Sequence, residues 1–164
     1  MNTTDILKTA LLMEMKGKAF YEKIAQHSTD PDVANIFLLM AKEEQTHIDF
    51  LSKHYVSFHS TSAFAELKLI EKDDNMFAAA ILNKKAVQKI SSVGYEAAAI
   101  SAAIDMENKA VEFYSLHAKE TNNPAEKELF QWLADWEKGH HHILNELNTE
   151  LQEKIWNDNH FWPF

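Results

Sequence analysis

An all-α fold, a four-helix bundle built from two similar helical hairpins, is predicted by three features of the sequence. Only three Gly and three Pro occur in 164 residues, and the many Ala, Leu, Glu and Lys residues favour long helices over strands. Helical apolar spacing is interrupted at Asp30-Pro31 and at Asn123-Pro124, dipeptides that suit the start of a helix. The two halves also match at a constant offset of 93 positions. Because a hydrophobic content of 46% suits one core, we expect a single domain over residues 1–164.

Capping residues set the predicted helix boundaries. The first helix begins near Thr4 or Asp5, either of which can cap it, and ends near His27. Asp30 caps the second helix, and Pro31 suits its first turn, where the missing N–H has no cost. The four long helices are predicted at about residues 5–27, 31–55, 92–121 and 124–154.

A long connection, residues 56–91, separates the two hairpins. It begins with a polar, loop-like run at residues 57–62 and continues into a short amphipathic helix over about 74–89. Phe77, Ile81 and Val87 are the candidate packing residues of this helix. A short link would make the second and third long helices antiparallel neighbours, whereas a long link lets the chain cross the bundle. We therefore predict a crossover connection that contains a short helix.

The C-terminal residues 156–164 are rich in aromatic side chains, namely Trp156, Phe161, Trp162 and Phe164. So much aromatic surface is unfavourable in water, and we expect this segment to dock on the bundle or on a second subunit. The assembly that we expect is a homodimer.

Composition excludes several classes of partner and cofactor. The formal net charge is −9, all basic residues are Lys, and no basic cluster could neutralise a phosphate backbone, so we expect no nucleic acid. The chain has no Cys, which excludes disulfides and Cys-ligated metal centres, so any electrons must come from an external donor. No segment approaches the length of a membrane-spanning apolar run, and no signal sequence is evident at the N-terminus. We expect a soluble, cytoplasmic protein.

One motif occurs twice: a lone Glu followed, thirty positions later, by Glu-x-x-His. The six residues are Glu14, Glu44, His47, Glu107, Glu137 and His140. All four glutamates lie on the apolar stripes of their helices, so all should point into the bundle. Buried carboxylates are costly unless cations compensate them or protons are bound. A single Glu-x-x-His usually means a solvated pair, but two copies with matched upstream glutamates indicate a site for two metal ions.

Other polar residues near the motif receive weaker assignments. His141 and His142 face other directions than His140, because consecutive helical positions do not share a face. Glu43 could replace Glu44 as a ligand, but its repeat partner is Trp136, which cannot bind metal, so Glu43 is assigned to the periphery. Five other histidines are interpreted as surface or packing residues: His27, His54, His59, His117 and His160. The alternative is that one of these histidines transfers protons to the site.

Tyr21 and Tyr114 lie two helical turns after Glu14 and Glu107, on the same faces. Either alone would suit a core aromatic whose hydroxyl finds a partner. Their occurrence at the repeat offset favours a supporting role in the metal site. They could donate hydrogen bonds to ligand carboxylates or act as one-electron donors to the metals.

The segments Met13-Glu14 through Phe20-Tyr21 and Met106-Glu107 through Phe113-Tyr114, with the two Glu-x-x-His motifs, resemble the ferritin-like di-iron proteins of the rubrerythrin and bacterioferritin branch. The resemblance covers the four long helices and implies a ferritin-like bundle with two iron ions. It implies that Glu14 and His47 serve one iron and that Glu107 and His140 serve the other. Glu44 and Glu137 would bridge the two.

The sequence departs from both relatives. Rubrerythrins carry a further Glu three residues after the third-helix ligand, which takes part in a redox-linked ligand switch, and here that position is Ala110. Rubrerythrins also commonly carry a rubredoxin domain, which binds iron through Cys residues, and this chain has no Cys. Bacterioferritin ligates haem with a Met directly after the second-helix Glu, where this chain has Gln45, so no haem is expected. The long connection also argues against a 24-subunit shell.

The resemblance implies a non-haem di-iron oxidoreductase, a peroxidase or oxidase that uses hydrogen peroxide or dioxygen and an external electron donor such as a rubredoxin-type protein. A role in oxidative stress would follow. Three alternatives stay open. The chain could handle iron as a ferroxidase or storage protein, it could hold manganese in the same site, or it could be an interaction module that uses metal only for stability.

Overall fold

Helices form nearly all of the computed structural model, which describes residues 2–66, 74–91 and 94–158. Within these ranges the helices are α1 (Thr3–His27), α2 (Pro31–Thr61), α3 (Asp74–Ile81), α4 (Lys84–Lys89), α5 (Tyr95–Glu120) and α6 (Pro124–Asp158). The predicted all-α, ferritin-like bundle of two hairpins is confirmed, with α1 packed on α2 and α5 packed on α6. None of the described helices combines the length and the apolar character that a bilayer-spanning segment needs.

The two hairpin turns use the same local chemistry. Asp30 Oδ1 accepts hydrogen bonds from the backbone N–H groups of Asp32 and Val33. Asn123 Oδ1 does the same for Ala125 and Glu126. Each cap satisfies N–H groups that the first helical turn leaves unpaired, and a Pro follows each cap at the first helical position. These turns fix where each second helix starts and therefore the register of both Glu-x-x-His motifs.

The predicted cap of the first helix and the predicted end of the second helix were wrong. The first helix is capped by Asn2, whose Oδ1 accepts from the N–H of Asp5 at 2.9 Å, so the cap lies before Thr4. The second helix continues through the predicted loop at residues 57–62. Hydroxyls of Ser60 and Thr61 bond back to carbonyls one turn earlier, each at 2.8 Å, and Ser62 ends the helix in the left-handed region with φ 57°.

The predicted crossover helix is two helices. α3 ends at Ile81, and Asn83 caps α4 by accepting from the N–H of Lys85 at 3.0 Å. Ile81 and Val87 are buried as predicted, whereas Phe77 is only partly buried. Both helices pack across α2 and α6. The crossover therefore covers the α2 and α6 face of the bundle.

Two apolar clusters fill the bundle, one toward each end. One includes Ile24, Phe37 and Leu144, and the other includes Leu7, Leu51 and Phe130. On each long helix one buried glutamate lies between the residues of these two clusters along the sequence: Glu14, Glu44, Glu107 and Glu137. Of the aromatic C-terminal segment that we predicted to dock, residues 159–164 lie outside the described residues. Trp156, which belongs to the described part of the segment, is 53% exposed.

Candidate metal centre

Each long helix brings its motif residue inward because that residue occupies the apolar stripe. Glu14 is one turn from Ala10 and from Gly17, both of which are buried with it. The same holds on the other helices, and all six motif residues are at most 3% exposed: Glu14, Glu44, His47, Glu107, Glu137 and His140. The sequence thus places four carboxyl groups and two imidazoles in the interior.

The six side chains converge into two overlapping groups. Glu14, Glu44, His47 and Glu137 form one group, and Glu44, Glu107, Glu137 and His140 form the other, with the candidate ligand atoms of each group within 4.8 Å of one another. Glu44 and Glu137 belong to both groups. The division agrees with the arrangement that the resemblance implied, with one terminal Glu and one His on each side of two shared carboxylates. The ligand role of these residues stays a prediction.

Both histidines turn Nδ1 toward the carboxylates. Nδ1 of His47 lies 3.0 Å from Oε2 of Glu14 and 2.8 Å from Oε1 of Glu137. Nδ1 of His140 lies 3.2 Å from Oε2 of Glu137. The two rings stack with centroids 5.4 Å apart. Because the residues are repeat partners, their contact shows that the two halves face each other across an internal twofold relation.

Burial together with mutual repulsion disfavours ionisation of two of the carboxyl groups. Burial, followed by the charges of Glu14, Glu107 and Glu137, raises the pKa of Glu44 well above its usual range. Burial and the charge of Glu137 do the same to the pKa of Glu107. Without metal, these groups hold protons that an exposed Glu would have released.

For His47 and Glu137, the attraction of neighbouring opposite charges outweighs the cost of burial, so the charged form is favoured. Burial opposes a charge on His47, but the carboxylates of Glu137 and Glu14 outweigh it and raise the pKa of His47 to about 10. Burial likewise opposes a charge on Glu137, yet the positive charge of His47, with a smaller contribution from His140, holds the pKa of Glu137 well below its usual range. The metal-free cluster therefore contains an internal ion pair between these two side chains.

Two tyrosines link the hairpins. The hydroxyl of Tyr21 on α1 donates to Glu107 on α5, and the hydroxyl of Tyr114 on α5 donates to Glu14 on α1. Burial and the adjacent carboxylates raise the pKa of both phenols well above the usual range, so both stay protonated donors. Each tyrosine orients a terminal carboxylate that belongs to the opposite hairpin.

The donor set fits divalent metal ions. Both oxygens of Glu137 and both ring nitrogens of His140 are buried without a well-aligned hydrogen-bond partner among the described residues. Carboxylate oxygens and imidazole nitrogens suit iron, manganese and zinc. Many lone pairs that converge on one buried space with few donors are what a metal site requires and what a packed core normally avoids.

A cavity of about 190 Å³ opens from this cluster between α1 and α5. Its floor contains the four glutamates, and its walls include Met13, Gly17, Met106 and Ala110, with Lys16 and Lys109 also in the lining. These six lining residues form three pairs at the repeat offset of 93 positions, so the two halves of the chain contribute equivalent residues to the opening. A molecule of small size could reach the cluster here.

Gly17 was not identified as a site residue from the sequence, yet it creates room for Glu44. A Cβ at position 17 would lie 3.2 Å from both Cδ and Oε2 of Glu44. Its repeat partner is Ala110, which lines the same cavity. The sequence signal for this role was a Gly in the interior of a helix, on its apolar stripe. Gly disfavours a helix, so its presence there suggests that another group approaches the backbone closely.

Glu43 and Trp136 also contact the site, although neither belongs to the two groups. Nε1 of Trp136 donates to Oε2 of Glu43 at 3.1 Å, and the same oxygen lies 3.8 Å from Nε2 of His140. The Trp136 ring packs perpendicular to His47, with centroids 5.0 Å apart. Among the other histidines, His54 is buried against Phe50. Burial lowers its pKa, and Lys53 adds to that effect.

Comparison with known proteins identifies one family. The model of the family described as Rubrerythrin matches residues 5–148, a range that includes all six motif residues. No curated protein and no solved structure gives a significant match.

Removal of one shared carboxylate should affect both metal positions. We expect Glu44→Ala or Glu137→Ala to lower the amount of bound metal at both positions, because each residue belongs to both groups. Glu14→Ala should mainly affect one position and serves as the matched control. Metal analysis after anaerobic loading with ferrous iron checks this. Loss of only one metal ion from Glu44→Ala would contradict the shared role.

Gly17→Ala should separate fold stability from metal binding. Ala favours a helix over Gly by about 1 kcal/mol, so the metal-free variant should be as stable as the wild type or more stable. The added Cβ displaces the Glu44 carboxylate, and we expect metal affinity to fall by up to about 10-fold. Thermal unfolding and calorimetric metal titration measure the two effects. Unchanged affinity would show that Glu44 does not depend on this space.

The metal-free protein should lose stability as the pH rises from 6.5 to 10. The pKa of His47 is raised in the folded state from 6.5 to about 10. The contribution of protonated His47 to the stability of the folded state is therefore fully present below pH 6.5 and is lost as the pH rises through about 10. The raised pKa values of Glu44 and Glu107 act in the same direction. The pKa of Glu137 is lowered, so its effect has the opposite sign. Its contribution to the stability of the folded protein is lost at acidic pH, as the pH falls.

Thermal unfolding after chelation, at several pH values in this window, measures the effect. Metal-loaded protein is the control, since metal then replaces the protons and the same decline is not expected. A midpoint of the chelated protein that rises with pH across the window would contradict the assigned protonation of His47.

Proposed function

This chain belongs to the rubrerythrin family, whose model covers most of its length, and from that premise we propose that it is a di-iron oxidoreductase. In this proposal it oxidises ferrous iron at a dinuclear site and reduces hydrogen peroxide or dioxygen. Glu14 and His47 hold one ion, Glu107 and His140 hold the other, and Glu44 and Glu137 bridge them. Manganese is the alternative metal, because the donor set suits both.

One observation supports the proposal most directly: the two candidate groups share both central carboxylates. Two separate sites would need two separate ligand sets, whereas shared carboxylates hold two ions close together. When bound, such a pair of irons supplies one electron each to an oxidant and stabilises the oxygen products.

The protein's own residues create the conditions for this chemistry. Tyr21 and Tyr114 fix the terminal carboxylates by hydrogen bonds, so these carboxylates do not have to be reoriented in each cycle. Burial of all six residues excludes bulk water. The cavity between α1 and α5 leads to the cluster, and its size suits a small oxidant.

Electrons for repeated turnover must come from outside this chain in our proposal. No residue of the sequence is a Cys, so the chain holds no Cys-ligated iron–sulfur carrier. An external donor, such as a rubredoxin-type protein, would return the site to its reduced state.

Rapid mixing of the anaerobic, ferrous-loaded protein with each oxidant tests the proposal. We expect oxidation by both hydrogen peroxide and dioxygen. Peroxide should be faster, because it is already reduced by two electrons. Inertness toward both oxidants would overturn the oxidoreductase proposal and favour iron storage or a structural metal.

Ala110→Glu should shift the preference further toward peroxide. Position 110 lines the cavity above the cluster, so a carboxylate there can reach the metals and restore the ligand position that rubrerythrins have. The measured quantity is the ratio of the two oxidation rates, which we expect to rise several-fold. Ala110→Gln, of equal size but without the charge, is the control and should not reproduce the shift.

A further inference from the structure

The two halves of the metal site carry identical ligands but differ in charge beside them. His47 and His140 are repeat partners, as are Glu44 and Glu137. The next repeat pair along the same helices is Glu43 and Trp136, and these two residues contact each other. One half thus places a carboxylate at this position, and the other half places an indole.

Among the residues that the structure describes, Glu43 places a carboxylate beside the outer nitrogen of His140. Nδ1 of His140 faces the cluster, and Nε2 is buried with no hydrogen-bond partner among the described residues. A histidine that binds metal through Nδ1 carries its proton on Nε2 and needs an acceptor there. Oε2 of Glu43 lies 3.8 Å from Nε2. That distance is longer than a hydrogen bond, but it is within ion-pair range of Nε2.

Trp136 holds this carboxylate in place. Its Nε1–H donates to Oε2 of Glu43 at 3.1 Å, the same oxygen that approaches His140. The Glu43 side chain is 20% exposed. One partly buried carboxylate oxygen therefore lies close to both the indole of Trp136 and the imidazole of His140. The position of the oxygen is therefore set by Trp136 and not left to a freely moving surface side chain.

His47 has a different environment at the same nitrogen. Its Nδ1 contacts the carboxylates of the cluster, and its Nε2 is buried without a hydrogen-bond partner in the part of the chain that the structure describes. No described carboxylate forms an ion pair with that Nε2. The repeat counterpart of Glu43 is here the Trp136 ring, which packs perpendicular to His47.

We propose that Glu43 is a positioning residue that makes the two metal positions inequivalent, so that the His140 position binds a divalent ion first and more tightly. This inference rests on the proposed metal function. The carboxylate fixes the proton of His140 on Nε2 and makes Nδ1 a stronger donor to metal, as acidic partners of metal-bound histidines generally do. Among the described residues the His47 position has no such partner, and it fills second.

Calorimetric titration with cobalt(II) tests the inference, with the visible absorption of bound cobalt as a second readout. We expect two classes of site in the wild type. His47→Ala should keep the tighter class, and His140→Ala should keep the weaker class. In the His47→Ala background, Glu43→Gln should weaken cobalt binding by about 10–100-fold, the range typical for loss of such a partner.

The same substitution in the His140→Ala background should leave the affinity unchanged. Glu112→Gln, which removes an equal charge from an exposed position on α5, controls for general electrostatics. Equal affinities at the two wild-type sites, or an equal effect of Glu43→Gln in both backgrounds, would overturn this inference and leave the metal function intact. Absence of any cobalt binding by the wild type would overturn the metal function and this inference together.

Discussion

Four carboxyl groups buried in one space are the constraint on which the rest of this molecule depends. Burial and the neighbouring carboxylates oppose the ionisation of Glu44 and Glu107. The metal-free protein answers with protons on Glu44 and Glu107 and with an ion pair between His47 and Glu137. Divalent ions would replace those protons and satisfy the same carboxylates. Protons and divalent ions therefore compete for the same groups.

The internal twofold relation explains how a small bundle holds this cluster. Each tyrosine of one hairpin donates to a terminal carboxylate of the other, so neither hairpin completes its half of the site alone. The histidines stack across the same relation. Because the contacts are reciprocal, a single orientation of the two hairpins satisfies every ligand at once.

The duplication is not perfect, and its differences lie where they can alter function. Gly17 and Ala110 are repeat partners, and both line the cavity that leads to the four carboxylates. Gly17 leaves space that the Glu44 carboxylate fills. Glu43 and Trp136 differ in charge beside the two histidines. A symmetric set of ligands is thus surrounded by an asymmetric set of neighbours.

The sequence by itself determined the hairpins and the six motif residues. Asp30 and Asn123 mark helix starts through local hydrogen bonds, and the spacing of each motif on an apolar stripe is a local property of one helix. Local patterns failed at the run of residues 57–62. Ser and Thr suit loops and helix ends alike, and α2 also gains a contact between Phe58 and Phe64.

Only the tertiary structure decided which helices are neighbours, and every relation between residues of different helices follows from that choice. The tyrosines were expected to support the ligands, but the sequence could not say that each would serve the opposite hairpin. The contact of Trp136 with Glu43 and the space beside Gly17 were equally out of reach. Periodicity assigns a side chain to a face of its own helix. It carries no information about the distance between two faces, which depends on the packing of the whole bundle.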